Sequence, residues 1–420
     1  MKAATSARRA ALAILRDVRA GKPLADARDR HLEGLAERDR RLAYELSAGV
    51  LRRQRELDSA LHLDRTDPRL HDVLRLGAYQ LRWLTRVPKH AAVSTSVELA
   101  RETVGEASTG YVNRALRQME RDGERETTDG ATHPDWLITR WTDRYGQPAT
   151  ARLMEWNDAR PPLFLQPARW SLEHLQQELR AAGVEEREAP FGTGLEVHLA
   201  RPSSLPGYAE GGFIVQDPAH ALVARFAAIP AGSVVFDACA APGGKAVALE
   251  ALGARVLAGD ARHERLGRLT DTARRAGVAI RCFAANLEAA PLRPGSLAAV
   301  LVDAPCSATG TLRRHPDARW RLDPGVFARA AARQTRLLAD AALLVRPEGL
   351  LIYSTCSLEP EENEAVVENF LKSHPSFRRA PHAARGAVPD ALLTPAGDFQ
   401  SLPHRDGIDG AYAARLVRES

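Results

Sequence analysis

From about residue 219 onward the chain alternates short apolar runs with helical stretches, and no other feature restricts its fold so tightly. The runs are "SVVFD", "RVLAGD", "AIRCF", "LAAVLVD" and "GLLIYSTC", separated by helix-period segments such as "KAVALEALG". Strands joined through helices enter the sheet from the same end each time, so they pair in parallel. Residues 219–420 are therefore expected to form an α/β domain with a mainly parallel sheet. In such a domain the carboxyl ends of the strands share one edge, and ligands collect there at the point where the strand order reverses. The residues that end the runs gain meaning from this. They are Asp237, Asp260, Asp303 and Cys356, with Asn286 just past the third run and Cys306 three residues past the fourth.

The first part of the chain follows a different period. "RRAALAILRDV", "RDRRLAYELSAGVLRRQRELDSAL", "PRLHDVLRLGAYQLRWL", "AAVSTSVELARETV" and "GYVNRALRQMER" repeat apolar residues at three and four, which predicts an all-α bundle of five or more helices over residues 1–125. The charged, Gly-containing stretch from Glu120 to Pro134 reads as a linker. Residues 126–218 then combine linker helices with a small α+β module, RRM-like in outline, whose strands are expected in "LFLQPA", "LEVHLA" and "GFIVQDP".

Charge separates the parts as well. Residues 1 to 120 hold 23 Lys and Arg against 16 Asp and Glu, and the remainder holds 35 against 37, so the basic excess is N-terminal. A polyanion suits such a surface, because each cation that neutralises a phosphate releases counterions. An arginine-rich solvated helical face would show the same balance. No apolar stretch reaches the roughly 18 to 20 residues that span a bilayer, and the opening "MKAATSARRAALAILRD" is broken by arginines, unlike a secretory signal. The expected setting is the cytosol. The four cysteines show neither CxxC pairs nor paired-His spacing, so neither a metal site nor a disulfide framework is expected.

At the first strand end the loop "ACAAPGG" leads into a helix. Glycines at such a turn let the backbone approach a ligand, and the helix start offers free N–H groups. Asp260, ending the second run, is placed to accept both hydroxyls of a ribose. Asn286 is placed to bond an adenine edge. The G-x-G-x-x-G fingerprint of dinucleotide sites is absent. A ribose-bearing cofactor without pyrophosphate fits these residues, namely S-adenosylmethionine.

The two cysteines at the fourth and fifth strand ends point to the chemistry. Carbon 5 of cytosine is too weak a nucleophile to accept a methyl group directly, whereas a thiolate added at carbon 6 makes the ring an enamine reactive at carbon 5. A carboxyl group bonding N3 and N4 would favour that adduct, and Asp303 is suitably placed. A second thiol near the base would assist removal of the carbon-5 proton. An isolated cysteine is ordinarily a small buried hydrophobe, and Cys239 and Cys282 are read as that.

At these residues the chain resembles the RNA cytosine-C5 methyltransferases, in particular the Sun/Fmu/RsmB family of small-subunit rRNA enzymes. "DACAAPGGK", "DAPCSATGTLRRHPD" and "STCSLEPEEN" are similar to its most specific motifs, and "VQDPAHALVA" and "LPHRDGIDGAYAARL" resemble its lead-in and closing strand region. "SAGVLRRQRELD", "LRLGAYQL", "VPKHAAVSTSVELA" and "YVNRALR" resemble a NusB-like RNA-binding domain. The resemblance implies a Rossmann-like class I S-adenosylmethionine-dependent methyltransferase domain behind the NusB-like bundle. It implies that Cys356 attacks carbon 6 and that Cys306 assists product release, a ranking that strand-end position alone does not supply. It also implies a cofactor site made by Cys239, Ala240, Ala241, Pro242, Gly243, Gly244 and Lys245 with Asp260, Asn286 and Asp303, the last also facing the cytosine. Asn286 stands where the family more often has Asp, and Ala411 and Tyr412 replace an expected aromatic pair.

Arg313, Arg314 and His315 are expected to contact RNA phosphates around a base withdrawn from its stack. An ordinary exposed basic loop is the alternative for them, and for Trp320 it is plain packing. The expected partner is 16S rRNA, free or in an assembling small subunit, acted on by a monomer. Two other readings compete: a non-catalytic RNA-binding or antitermination factor, and a cytosine-C5 methyltransferase acting on another RNA such as tRNA. An amino-group methyltransferase would want an Asn/Asp-Pro-Pro-aromatic motif in place of Asp303-Ala304-Pro305-Cys306.

Overall fold

A computed structural model describes residues 3–122, 132–198, 201–380 and 386–420. Most of the linker expected between Glu120 and Pro134 lies outside them. The chain divides into two compact units, Met1–Ala159 with Leu312–Leu322, and Arg160–Thr311 with Asp323–Ser420.

The first unit consists of α1 (Ala3–Arg19), α2 (Leu24–Leu32), α3 (Glu37–Arg52), α4 (Gln54–Ala60), α5 (His71–Trp83), α6 (Lys89–Thr103), α7 (Thr109–Asp122), α8 (Asp135–Tyr145) and α9 (Gln147–Asp158). Each long helix buries the stripe its period predicts. Ala7, Ala11, Ile14 and Val18 of α1 and Val112, Leu116 and Met119 of α7 enter one core with Val73, Leu74 and Leu76 of α5. The sequence reading runs α3 and α4 together; the chain leaves helical geometry between them at Arg53 (φ −110°, ψ 17°). α8 and α9 fall within this first compact unit. Arg55 pairs with Asp135 at 2.6 Å and Arg53 with Asp158 at 3.9 Å.

Leu312–Leu322 is part of this unit by burial. Trp320 packs against the helical core and donates from Nε1 to the Leu51 carbonyl at 2.6 Å. Arg319 is fully buried and donates to Asp158 Oδ1 (2.8 Å) and to the carbonyls of Thr132 (3.3 Å) and Asn157 (3.0 Å). A buried guanidinium needs that many acceptors to offset its lost hydration.

The second unit opens with a small module of β1 (Leu163–Pro167), α10 (Leu172–Ala181), β2 (Glu186–Glu188), β3 (Leu195–Val197) and β4 (Phe213–Val215). Its antiparallel sheet has the order β2-β3-β1-β4. The charged edge strand β2, Glu-Arg-Glu, carries no apolar alternation, which is why sequence periodicity does not disclose it.

The rest of the unit comprises α11 (Pro218–Phe226), β5 (Val234–Asp237), α12 (Gly244–Ala251), β6 (Arg255–Asp260), α13 (His263–Ala276), β7 (Arg281–Ala284), β8 (Leu297–Asp303) and, after the inserted segment whose α14 (Ala318–Arg321) belongs to the first unit, α15 (Val326–Leu344), β9 (Val345–Thr355), α16 (Glu364–Ser373), β10 (Phe377–Arg379), β11 (Phe399–Ser401), α17 (Pro403–Asp406) and β12 (Ala411–Arg418). Its eight-stranded sheet runs β10-β12-β9-β8-β5-β6-β7, with β11 beside β12. The neighbours from β9 to β7 are parallel, and β12 joins antiparallel. Alternation along the strands feeds a core on each face. Val235, Ala299, Leu301 and Ile352 meet Ala246 and Leu249 of α12, while Phe236, Val300, Val302 and Leu351 meet Leu338 of α15 and Phe370 of α16. Strand order reverses at β5, between β6 and β8, and this puts the ligand edge over the ends of β5, β6 and β8. Among the described residues no helix is long and apolar enough to cross a membrane.

Candidate active site

The parallel pairing of β8 and β9 sets Asp303 opposite Ser354, so the loops that follow these strands leave the sheet side by side. Cys306 and Cys356 lie in those loops, and their sulfurs stand 3.2 Å apart. The main chains are laced together there: Gly310 N donates to the Cys356 carbonyl at 2.9 Å, and Gly410 N to the Gly310 carbonyl at 2.8 Å. A Cβ on Gly310 would stand 2.5 Å from the Gly410 carbonyl and 2.8 Å from that of Cys356, so this approach requires glycine.

Asp303 is held from two sides. Ser354 Oγ donates to its Oδ1 at 2.8 Å and Lys245 Nζ to its Oδ2 at 2.7 Å, while Lys245 also meets His220 Nδ1 at 3.0 Å. Burial alone would raise the Asp303 pKa. The charges of Lys245 and His220 and the bonds from Lys245 and Ser354 outweigh it and hold the carboxyl below its usual range. Burial likewise opposes the Lys245 charge, and Asp303 restores it, with the Cys356 sulfur contributing. Asp303 is thus a carboxylate that accepts. His220, in the "VQDPAHALVA" stretch, was not singled out by sequence; the signal available was its place in a family-like motif.

The thiols differ. The hydrogen bond with Cys356 pushes the Cys306 thiol well up, and burial and the negative charge of Glu362 add to this. Cys306 is therefore held as a thiol. Cys239, half-buried in the loop after β5, is pushed up to about 12 by burial and by Asp237, Asp303 and Asp260. Cys282 is half-buried on β7, with its sulfur 3.7 Å from the Ile280 carbonyl. Neither lies among the donors and acceptors around Asp303.

Along the rest of the edge, Gly243 precedes α12 at φ +107°, and a Cβ there would come within 3.0 Å of Leu269. Asp237 is fully buried, and neither carboxyl oxygen has a hydrogen-bond partner within the protein. Burial and the neighbouring Asp303 push it up to about 7, against the pull of Lys245. Asp260 is buried too, with Oδ1 accepting from Arg262 N at 2.8 Å. Orphaned acceptors at a glycine turn, next to a second strand-end carboxylate, fit a group that brings an ammonium and ribose hydroxyls. Asn286 lies exposed before a short 3-10 turn past β7.

Arg313, Arg314 and His315 belong to the inserted segment of the helical unit. The Arg313 guanidinium lies 4.1 Å over the Trp156 ring, Arg314 is half-buried and His315 is exposed. Tyr412, at the departure from the family's aromatic pair, is fully buried and donates to Asp398 Oδ2 at 2.7 Å.

A doubly wound sheet with this strand edge, joined to a ferredoxin-like module and a NusB helical domain, defines a Rossmann-like methyltransferase. Residues 228–417 match the family described as 16S rRNA methyltransferase RsmB/F, residues 5–121 the NusB family, and residues 133–203 the RsmF/B-like ferredoxin-like domain. The chain is 34% identical to the probable ribosomal RNA small subunit methyltransferase B of Synechocystis sp., over 98% of this chain and 99% of that one. It is 32% identical to the ribosomal RNA small subunit methyltransferase B of Salmonella arizonae, over 98% of each. The chain belongs to the 16S rRNA methyltransferase RsmB/F family. Two solved structures share the fold. PH0851 has a TM-score of 0.80 at 24% identity and 98% coverage of both chains. NSun6 from Pyrococcus horikoshii, solved with SFG, has 0.59 at 18%, covering 68% of this chain and 98% of its own.

Proposed function

We propose that the protein methylates carbon 5 of one cytosine in 16S rRNA, using S-adenosylmethionine, through a covalent bond between Cys356 and carbon 6. The observation that carries this reading is the pair of sulfurs 3.2 Å apart beside a carboxylate that is held charged. The names of the relatives favour small-subunit rRNA as substrate. Residues Cys239 to Lys245 with Asp237, Asp260, Asn286 and Asp303 would hold the cofactor, and when bound it supplies an electrophilic methyl group.

Cys356 adds as thiolate to carbon 6, and the ring electrons move to carbon 5, which becomes nucleophilic. Lys245 bonds Asp303 and keeps its carboxylate charged. Asp303, as carboxylate, accepts from the exocyclic amine at N4 and fixes the ring over the sulfur. After methylation the carbon-5 proton passes to a water that the Cys306 thiol positions, and the electron pair of the broken C–H bond restores the 5,6 double bond as Cys356 departs as thiolate. The helical unit, with Arg313, Arg314 and His315, supplies RNA affinity, and the protein works as a cytoplasmic monomer.

The test is a denaturing gel of Cys356→Ala and Cys306→Ala incubated with S-adenosylmethionine and a 16S rRNA fragment, with bisulfite sequencing of the RNA. Cys306→Ala should retain covalent RNA, and Cys356→Ala should give neither adduct nor 5-methylcytosine. The opposite pattern reverses the two roles. Undiminished methylation in both variants removes the thiols from the chemistry, and RNA binding with no methylation by the unaltered protein favours an RNA-binding factor.

A further inference from the structure

Glu362 is fully buried, six residues beyond Cys356 in the acidic run "LEPEENE". Its carboxylate accepts from the Ser307 N–H (2.9 Å), the Ser307 hydroxyl, the Ser357 hydroxyl (2.7 Å) and Gln334 Nε2 of α15 (2.9 Å). Ser307 follows Cys306 and Ser357 follows Cys356, so one carboxylate grips the residue after each thiol. Gln334 extends the grip by donating to the Pro305 carbonyl at 3.1 Å. The Glu362 carbonyl accepts from Tyr353 OH at 2.6 Å, which fixes the main chain that carries the carboxylate.

A buried carboxylate loses its hydration and persists only where charge-assisted hydrogen bonds offset that loss. Here those bonds are spent on the two cysteine loops. We propose that Glu362 is a positioning residue that holds the Cys306 loop against the Cys356 loop so that the two sulfurs meet. The proposal rests on the covalent reading given above.

The two loops depend on it unequally. Cys356 directly follows β9, whose last residue Thr355 pairs with Tyr412 of β12, and Thr355 Oγ1 is 2.5 Å from Asn363 Oδ1. Cys306 lies beyond its strand, and the N–H and hydroxyl of Ser307 both end on Glu362. Removing the carboxylate therefore releases Cys306 first, and with it the step that frees the product. Attack by Cys356 is retained.

The experiment uses the full chain with S-adenosylmethionine and a 16S rRNA fragment, comparing Glu362→Ala, Glu362→Gln and Cys306→Ala. Glu362→Ala should bind the cofactor within about threefold of the unaltered protein, lose about tenfold or more in steady-state turnover, and trap covalent RNA as Cys306→Ala does. Glu362→Gln keeps an acceptor for Ser307 N–H and should recover part of the turnover. Turnover within about twofold of the unaltered protein in Glu362→Ala overturns the proposal. Should Glu362→Ala lose cofactor binding, Glu362→Gln decides, with trapped RNA supporting and its absence opposing. Failure of Cys306→Ala to trap RNA overturns the covalent reading and this proposal with it. Trapping by Cys306→Ala and by neither Glu362 variant overturns the proposal alone.

Discussion

The Nζ atom of Lys245, second residue of α12, stands 2.7 Å from Oδ2 of Asp303 at the end of β8, across 58 residues of sequence. The start of α12 and the end of β8 are thereby joined in one ion pair. Asp303 owes its depressed pKa to this partner and to His220 and Ser354, against the effect of burial. In Lys245→Met the carboxyl keeps its burial and loses its main counter-charge, so its pKa must rise. If Asp303 accepts from the substrate amine as proposed, the acid limb of kcat/KM against pH is expected to move to higher pH, since protonation removes its charge and turns one oxygen into a donor facing the amine. A limb at its original position would detach Lys245 from the ionisation of Asp303.

Asp237 carries the opposite shift, from 3.8 to about 7, chiefly through burial. Between these values the folded state holds a proton that the unfolded chain has released, so stability is highest below pH 4 on this account and falls as pH rises to about 7. The move from 3.8 to about 7 corresponds to roughly 4 kcal/mol. Urea unfolding of the cofactor-free protein at several pH values should show the decline, and Asp237→Asn should flatten it and be the more stable protein at pH 8. Parallel curves for the two proteins would mean that Asp237 does not titrate there.

Asp260 is buried at the end of β6 and has one oxygen on Arg262 N. If it accepts from the ribose, Asp260→Ala should cost about 1.5 to 3 kcal/mol in cofactor binding, the range for hydrogen bonds to a charged group. That is about 10- to 100-fold in Kd for S-adenosylmethionine by calorimetry. An unaltered Kd removes Asp260 from the site.

Arg319 anchors the inserted segment to the helical unit through Asp158, Thr132 and Asn157. Arg319→Met keeps much of the volume and leaves Asp158 without its buried partner. A loss of about 3 to 5 kcal/mol is expected in denaturant unfolding of the helical unit. A change under about 1 kcal/mol would show the pair to be dispensable.

The parts of this molecule that follow local rules were legible. Val235, Phe236 and Asp237 announce a strand buried on both faces with a polar end, and Val112, Leu116 and Met119 a helix with one buried stripe. The inserted segment was not legible in this way. "TLRRHPDARW" looks like a basic solvated loop, yet Arg319 is fully buried, and its acceptors come from Thr132, Asn157 and Asp158, more than 150 residues away. Glu362 was hidden for the same reason. In "EPEENE" nothing local separates it from Glu361, which is half-buried, and the donors that make its burial tolerable arrive from Ser307 and Gln334.

The sequence by itself determined the order of strands and helices, the placing of Asp237, Asp260, Asp303 and Cys356 at strand ends, and the family likeness, because periodicity, strand length and turn chemistry act over a few residues. Tertiary structure alone decided which of those groups meet and in what charge state. The 3.2 Å between Cys306 and Cys356, the lysine on Asp303 and the orphaned oxygens of Asp237 arise from strand order and burial. Desolvation and Coulomb energy depend on what surrounds a group in space, and the chain order of its neighbours does not record that.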